Sequence, residues 1–174
     1  MPPILRTALN YGALSGTSCF GFFLLLYFMG FNPLGNLSWL GAWIPVVFIC
    51  LSTSHFREYE AEGFISYSRA FKAGLLTAIA GALVYASMIY IFGSFIDHSL
   101  VDIYKNDLGD QLEKTKALIN DNLYEKALEG LNQTTMYSIA FGDFFTKCIG
   151  GFIVSLVTAA VYKKTPPVFK EMPE

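Results

Sequence analysis

The chain has 174 residues, 53% of them apolar and 15% charged, and twelve Lys and Arg against fourteen Asp and Glu leave a formal charge of −2. Because a soluble domain carries about 25% charged residues, this composition excludes a soluble enzyme, a nucleic-acid binder with a basic surface and a disordered chain. The apolar residues form four long stretches, at 7–30, 38–54, 73–96 and 136–162.

The four stretches contain only two charged residues, Asp143 and Lys147. About 20 predominantly apolar residues are enough to cross the hydrocarbon of a bilayer, so each stretch is a candidate transmembrane helix. The sequence therefore predicts an all-α, polytopic integral membrane protein. We expect one domain over residues 1–174, with four transmembrane helices and an amphipathic helical segment in the loop between the third and the fourth.

The first stretch follows a single positive charge, Arg6, as the apolar part of a signal peptide would. It is too long for such a segment, and no small-residue cleavage site follows it, so we expect a retained first helix. A Pro- and Gly-containing turn at 31–36 makes the first two helices an antiparallel pair. Pro45 is expected to kink the short second helix or to be accommodated by its neighbours.

The loop between the second and third helices carries both a helix stop and a helix start. Gly63 is predicted to end a helix, and Ser66 to begin the third span. The aromatic and apolar side chains around these two residues are expected to keep the loop at the membrane surface.

The 97–135 loop repeats apolar residues at helical spacing, which predicts a helical hairpin or a kinked helix on the outer face. Asn120 and Asp121 interrupt the pattern, and Asn122 with Glu125 forms a candidate capping box. The segment is expected to be an exposed amphipathic cap over the bundle, with a partner-binding helix as the alternative. The apolar positions are Leu100, Tyr104, Leu108, Leu112, Leu118, Ile119, Leu123, Ala127 and Leu131.

The distribution of Lys and Arg predicts the orientation in the membrane. Seven of them lie on the side that holds both termini, against four on the other side, so both termini are expected in the cytoplasm. The seven are Arg6, Arg57, Arg69, Lys72, Lys163, Lys164 and Lys170, and the four are Lys105, Lys114, Lys116 and Lys126. Trp39 and Trp43 at the outer end of the second helix, and Tyr162 at the inner end of the fourth, fit interfacial anchoring.

Asp143 and Lys147 lie four residues apart in the fourth span, so they share one face of that helix. Charges inside a span are costly and normally face the bundle interior. Continuing the same stripe leads to Gly151, Ser155 and Ala159, which permit close helix packing. The pair is interpreted as a buried polar clamp or as side chains that snorkel to the outer interface; the alternative is that it lines an ion or proton path.

Small residues recur at helical spacing in two other spans. Gly12 and Gly16 form such a ridge in the first helix. The ridge of the third helix consists of Gly74, Ala78, Ala82 and Ala86. Ridges of this kind let helix backbones approach closely. They are expected to hold the four helices of one molecule together, with a homodimer interface as the alternative.

No catalytic or metal-binding pattern stands out in the sequence. His55 and His98 end helices that exit on opposite faces, and Cys19, Cys50 and Cys148 show neither metal-ligand spacing nor a disulfide framework. We therefore expect no enzymatic activity and no cofactor, and no nucleic acid among the partners. The expected partners are membrane lipids and either further copies of this chain or a larger membrane complex.

Several short motifs resemble one bacterial family. They include the 57–74 run with its Gly-Phe-Ile-Ser and Ala-Phe-Lys-x-Gly portions, Phe95-Ile-Asp97, and 150–156 followed by Lys163-Lys164. Over nearly its whole length the chain resembles the domain-of-unknown-function family 4199, found mainly in Bacteroidota, although His98 stands where that pattern usually has Pro. The resemblance implies a four-helix protein of the bacterial cytoplasmic membrane and no assigned activity.

The functional expectation is a noncatalytic membrane protein that serves as a structural or accessory subunit of a cell-envelope complex. The alternative is a small ion or solute transporter or channel that uses Asp143 and Lys147.

Overall fold

The computed structural model describes residues 2–116 and 120–165. Within these ranges all regular structure is helical apart from one isolated antiparallel bridge between Ile65 and Lys164, which confirms the all-α class. The α-helices are α1 (Pro3–Phe28), α2 (Trp43–His55), α3 (Tyr67–Ile91), α4 (Ser99–Thr115), α5 (Asp121–Asn132) and α6 (Met136–Tyr162). A 3-10 helix, Asn36–Gly41, leads into α2, and π-helical turns at Phe56–Glu60 and Phe92–Ile96 continue α2 and α3.

Four continuous helical segments are long and apolar enough to cross a membrane. They are Pro3–Phe28, Asn36–Glu60, Tyr67–Ile96 and Met136–Tyr162, with 26, 25, 30 and 27 residues. At a rise of about 1.5 Å per residue each is roughly 38–45 Å long. The first three begin before the apolar stretches of the sequence, at Pro3, Asn36 and Tyr67, and the second also continues to Glu60. The chain is therefore a multi-pass membrane protein.

The α3 helix is the centre of the bundle, and α1 packs along it at glycine positions. A β-carbon added to Gly12 would lie 2.5 Å from Ala80 Cβ, and one added to Gly16 would lie 2.6 Å from the Gly81 carbonyl oxygen. Only glycine permits backbones to come this close. The first small-residue ridge therefore lies in a contact between α1 and α3 of the same molecule.

On its other side α3 packs against α6 through the second set of small residues. A β-carbon on Gly74 would lie 2.9 Å from Ser155 Oγ, and one on Gly151 would collide with Ala78 Cβ. Ala82 is buried in the same helix. Small side chains therefore face one another along the contact between α3 and α6.

A buried hydroxyl pair links α2 to α3. Ser52 Oγ and Thr77 Oγ1 are 2.7 Å apart, and Thr77 also donates to the Ala73 carbonyl oxygen at 2.8 Å. Both side chains are fully buried. Hydroxyl groups that would be costly in hydrocarbon thus satisfy one another and join the two helices.

One end of the bundle, here called the terminal end, contains the start of α1, the 61–66 loop and the end of α6. Ile65 and Lys164 exchange two backbone hydrogen bonds of 3.0 and 2.9 Å, which fastens the loop to the chain after α6. Gly63 has a φ of +81°, a conformation that suits glycine. Its N–H donates to the Arg57 carbonyl oxygen at 2.8 Å, so Gly63 closes the helix that α2 begins.

The opposite end, the hairpin end, contains the turn after α1 and the antiparallel pair α4 and α5. Lys105 near the start of α4 donates to the Asn132 carbonyl oxygen at the end of α5, at 3.0 Å. Asn32 in the turn donates to Asp107 Oδ2 at 3.2 Å, which holds α4 against the bundle. Trp39 and Trp43 are exposed near this end, in positions suited to the membrane interface.

The predicted capping box at Asn122 and Glu125 is wrong. The α5 helix begins at Asp121, and Asn120 is its N-cap, with a side chain that accepts a hydrogen bond from the Asn122 N–H. The sequence error arose because three consecutive residues all favour the cap position. Leu118 and Ile119, which the sequence placed on the apolar face, lie outside the described residues.

Asp97 joins three segments at the hairpin end. Tyr27 at the end of α1 donates to its Oδ2 at 2.8 Å, and the Ser99 hydroxyl and N–H donate to its Oδ1 at 2.7 and 2.9 Å. The Ser99 hydroxyl, followed by the Tyr27 hydroxyl, holds the pKa of the Asp97 carboxyl below its usual value. The carboxylate thus connects α1, the end of α3 and the start of α4.

The glycine contacts predict a position-specific loss of stability. Gly12→Leu and Gly151→Leu should each lower the free energy of unfolding by about 1–3 kcal/mol, because the new side chain meets a neighbouring helix. Gly21→Leu in α1 is the matched control, since a β-carbon there meets no atom within 4 Å. Melting of the three purified variants in one detergent would measure this, and equal melting of all three with wild type would contradict the packing described.

Candidate functional site

The two charged residues within the spans form an ion pair on α6. Lys147 Nζ lies 3.6 Å from Asp143 Oδ2, and the two side chains are 28% and 29% exposed. Asp143 is two turns into α6, about 10 Å along the helix from its start. The structure thus places together the two residues that the sequence paired, at a depth where isolated charges are costly.

Lys147 also contacts an aromatic ring of α3. Its Nζ lies 4.3 Å from the centroid of the buried Tyr85 ring. A desolvated ammonium over an aromatic face is attracted by the ring quadrupole. This contact holds the ammonium beside α3, and it joins residues that are 62 positions apart, which no local spacing rule predicts.

Asp143 keeps one carboxylate oxygen without a hydrogen bond. Among the residues that the structure describes, none donates to its buried Oδ2, since the 3.6 Å distance to Lys147 is longer than a hydrogen bond. Hydrogen-bonded carboxylates are the rule in protein interiors. This oxygen therefore faces the Lys147 ammonium in the ion pair without a hydrogen bond to it.

The ion pair lines an elongated groove of about 700 Å³ between α2 and α6, here called the α2–α6 groove. The α4 helix contributes the third wall near the hairpin end, through Tyr104, Asp107, Leu108 and Gln111. Burial, followed by the charge of Asp143, raises the pKa of the Tyr104 phenol.

The groove has a polar half and an apolar half. Polar groups of the lining lie toward the hairpin end and at the ion pair; they are Asn36, Ser38, Asp107, Gln111, Ser138, Asp143, Thr146 and Lys147. Farther toward the terminal end the lining is apolar; it consists of Pro45, Val46, Ile49, Gly150, Gly151 and Val154. The polarity of the lining thus changes along the helix axes.

The groove ends where α2, α3 and α6 meet. A β-carbon on Gly74 would lie 2.9 Å from Ser155 Oγ and 3.2 Å from Ile49 Cγ2, so these helices are in close contact there. Ile49 and Val154 are the lining residues nearest that contact. The groove therefore extends from the hairpin end to about the middle of the bundle.

A second, much smaller cavity of about 40 Å³ lies behind the ion pair. Cys19 from α1 and Tyr85 from α3 contribute to its walls, and Asp143 and Lys147 line both this cavity and the groove. The pair thus separates the groove from the interior of the bundle.

Neither histidine lines the groove. His55 ends α2 at the terminal end, where its ring centroid lies 5.5 Å from that of Tyr11 and 4.6 Å from that of Tyr59. His98 precedes α4 at the hairpin end. In the described part of the chain, no three His, Cys, Asp or Glu residues are grouped so that they could hold a metal ion.

Sequence reasoning found the ion pair and missed the groove. The walls come from segments around residues 36–49, 104–111 and 138–154, which are brought together only by helix packing. Of the small residues singled out in the sequence, Gly151 reaches the groove, because it lies where α6 meets both α2 and α3.

The fold and this site define a polytopic helical membrane protein with a charged groove between two of its spans. The chain belongs to the family described as Protein of unknown function (DUF4199), whose model matches residues 10–164. The sequence resemblance to that family is thereby confirmed. No curated protein and no solved structure matches the chain.

Proposed function

We propose that the protein is a noncatalytic structural or accessory subunit of a cell-envelope membrane complex, located in the bacterial inner membrane with both termini in the cytoplasm. The proposed orientation is supported by Lys and Arg at the terminal end. The described ones are Arg6, Arg57, Arg69, Lys72, Lys163 and Lys164, while Lys170 lies outside the described residues. Positive charge favours the cytoplasmic side.

The observation that carries the proposal is the incompletely covered apolar face of α5. This helix has no buried residue, and its partly covered side chains are Tyr124 and Leu131, in the middle of that face. Leu123 and Leu128 flank them on either side and are 61% and 40% exposed. An amphipathic helix gains stability when its apolar face is covered, so this face is suited to a second surface.

The charge of the α4–α5 hairpin indicates that the surface covering α5 belongs to a protein and not to the lipid bilayer. Residues 97–135 contain eight acidic residues and four lysines, and α5 itself carries Asp121, Glu125 and Glu129 against Lys126. Helices that lie on membranes are typically rich in Lys and Arg, which anionic lipids attract. The chemistry of α5 instead fits a partner domain with apolar residues and a basic rim.

This proposal predicts a stoichiometric partner that depends on α5. Purification in a gentle detergent with quantitative mass spectrometry should recover an envelope protein in about equal amount with the wild-type chain. The double variant Leu123→Ser with Leu128→Ser should lose that protein and keep its own fold, because both side chains are exposed. Asn122→Ala, on the opposite side of α5, is the control and should retain the partner.

Two results would contradict the subunit role. One is a monodisperse wild-type protein with no stoichiometric partner. The other is a partner that all three chains retain equally, because such a partner would not bind through α5.

The second candidate function is transport of a small ion or solute. It is favoured by one observation: an ion pair within one span lines a groove between two spans. Intramembrane charges of this kind commonly mark ion and proton paths. The close contact of α2, α3 and α6 below the groove means that transport would require these helices to separate.

Stability and flux together distinguish a structural pair from a transport pair. Asp143→Asn or Lys147→Met alone should lower the free energy of unfolding by about 1–3 kcal/mol, because one charge is left uncompensated. This loss lies between those measured for exposed and for buried ion pairs. The double variant should lose less stability than either single variant, since it leaves no unpaired charge. Melting of the three proteins would check this.

Under the subunit proposal, wild-type protein in liposomes should conduct neither protons nor sodium across imposed gradients. Under the transport alternative, the wild type should conduct one of these ions and the stable double variant should not. If the double variant retained the flux, neither Asp143 nor Lys147 would be needed for transport.

A further inference from the structure

We infer that the α2–α6 groove binds one phospholipid whose head group carries a primary ammonium, taken from the leaflet at the hairpin end. This inference stands apart from the subunit role, which depends on α5 rather than on the groove. It rests on the polarity, charge and size of the groove.

The polarity of the groove matches that of a lipid in this leaflet. The polar residues of the lining lie at the ion pair and toward the hairpin end, among apolar ones such as Leu34 and Ile139. Only apolar residues, such as Val46 and Val154, line the half near the middle of the bundle. A lipid of that leaflet has its head group at the hairpin end and its acyl chains pointing toward the middle. Its orientation in the groove is therefore the one it already has in the bilayer.

The charges favour a head group that combines a phosphate with an ammonium. The lining contains two carboxylates, Asp107 and Asp143, and one ammonium, Lys147. The ammonium of Lys147 favours a phosphate, and the two carboxylates favour a primary ammonium that can donate to them. A head group without a cation would face an excess of negative charge, and a quaternary ammonium has no N–H to donate.

The size of the groove suits one lipid head group with part of its acyl chains. Its volume of about 700 Å³ lies within the range of about 300–1,000 Å³ that is typical of small-molecule sites.

Two substitutions separate the contributions of the lipid head group and of the acyl chains to binding. Asp143→Asn removes one of the two negative charges that favour the ammonium. Gly150→Leu fills the apolar half, where a β-carbon meets no atom within 4 Å, so helix packing is preserved. Asp110→Asn is the matched control, because Asp110 is an exposed carboxylate of α4 that does not line the groove.

The experiment uses the full chain in nanodiscs of equal parts phosphatidylethanolamine, phosphatidylcholine and phosphatidylglycerol with identical acyl chains. After release into the gas phase, native mass spectrometry counts the lipids that each protein retains. Wild type and Asp110→Asn should retain one lipid, with phosphatidylethanolamine favoured at least tenfold over each of the others. Asp143→Asn should reduce that preference to less than threefold, and Gly150→Leu should lose the retained lipid.

Three outcomes would overturn the inference. One is a wild type that retains no lipid, and another is retention of the three lipids in equal amounts. The third is a Gly150→Leu protein that keeps its lipid but changes its oligomeric state, which would identify a second copy of the chain as the occupant. If Asp143→Asn fails to fold, Gly150→Leu and the head-group preference of the wild type still decide the question.

Discussion

The close approach of α1 and α6 to α3 is the constraint on which the rest of the structure depends. Lipid offers no hydrophobic force between helices, so backbones must come close enough for dispersion contacts and local hydrogen bonds to hold them. Gly12 and Gly16 permit this on one side of α3, and Gly74 and Gly151 on the other. Larger residues at these positions would separate the three helices and remove the support on which α2 and the hairpin rest.

The groove follows from the same constraint. Because α6 is held tightly to α3, it meets α2 from Ile49 toward the terminal end, where Gly74 contacts Ser155 and Cys50 Sγ lies 3.7 Å from Thr158 Oγ1. Toward the hairpin end α2 and α6 separate, and α4 forms the third wall of the groove there. The hydrogen bond from Asn32 to Asp107 holds α4 in this position. The ion pair lies in that space, with Lys147 held over Tyr85. The packing that stabilises the bundle therefore also creates its one charged intramembrane site among the described residues.

Hydropathy and spacing predicted the four spans, the pairing of Asp143 with Lys147, and a helical hairpin after the third span. These features depend on neighbours within one helix, which the sequence displays directly. The groove and the contact between Lys147 and Tyr85 depend on helices that are distant in the sequence, and no local pattern encodes them. The α5 cap was misplaced by two residues because Asn120, Asp121 and Asn122 all suit that position.

Disulfide cross-linking in native membranes tests the central packing most directly. The starting chain has its three cysteines replaced. Ser15→Cys with Gly81→Cys places the two β-carbons 3.3 Å apart across α1 and α3. Gly74→Cys with Ser155→Cys places them 3.1 Å apart across α3 and α6. A disulfide needs roughly 3.5–4.5 Å, so a shift of a few tenths of an ångström suffices. Both pairs should form intramolecular bonds, while Ser15→Cys with Gly21→Cys, on different faces of α1, should not. Absence of both bonds, or cross-links only between two chains, would contradict the arrangement of α1, α3 and α6 described above.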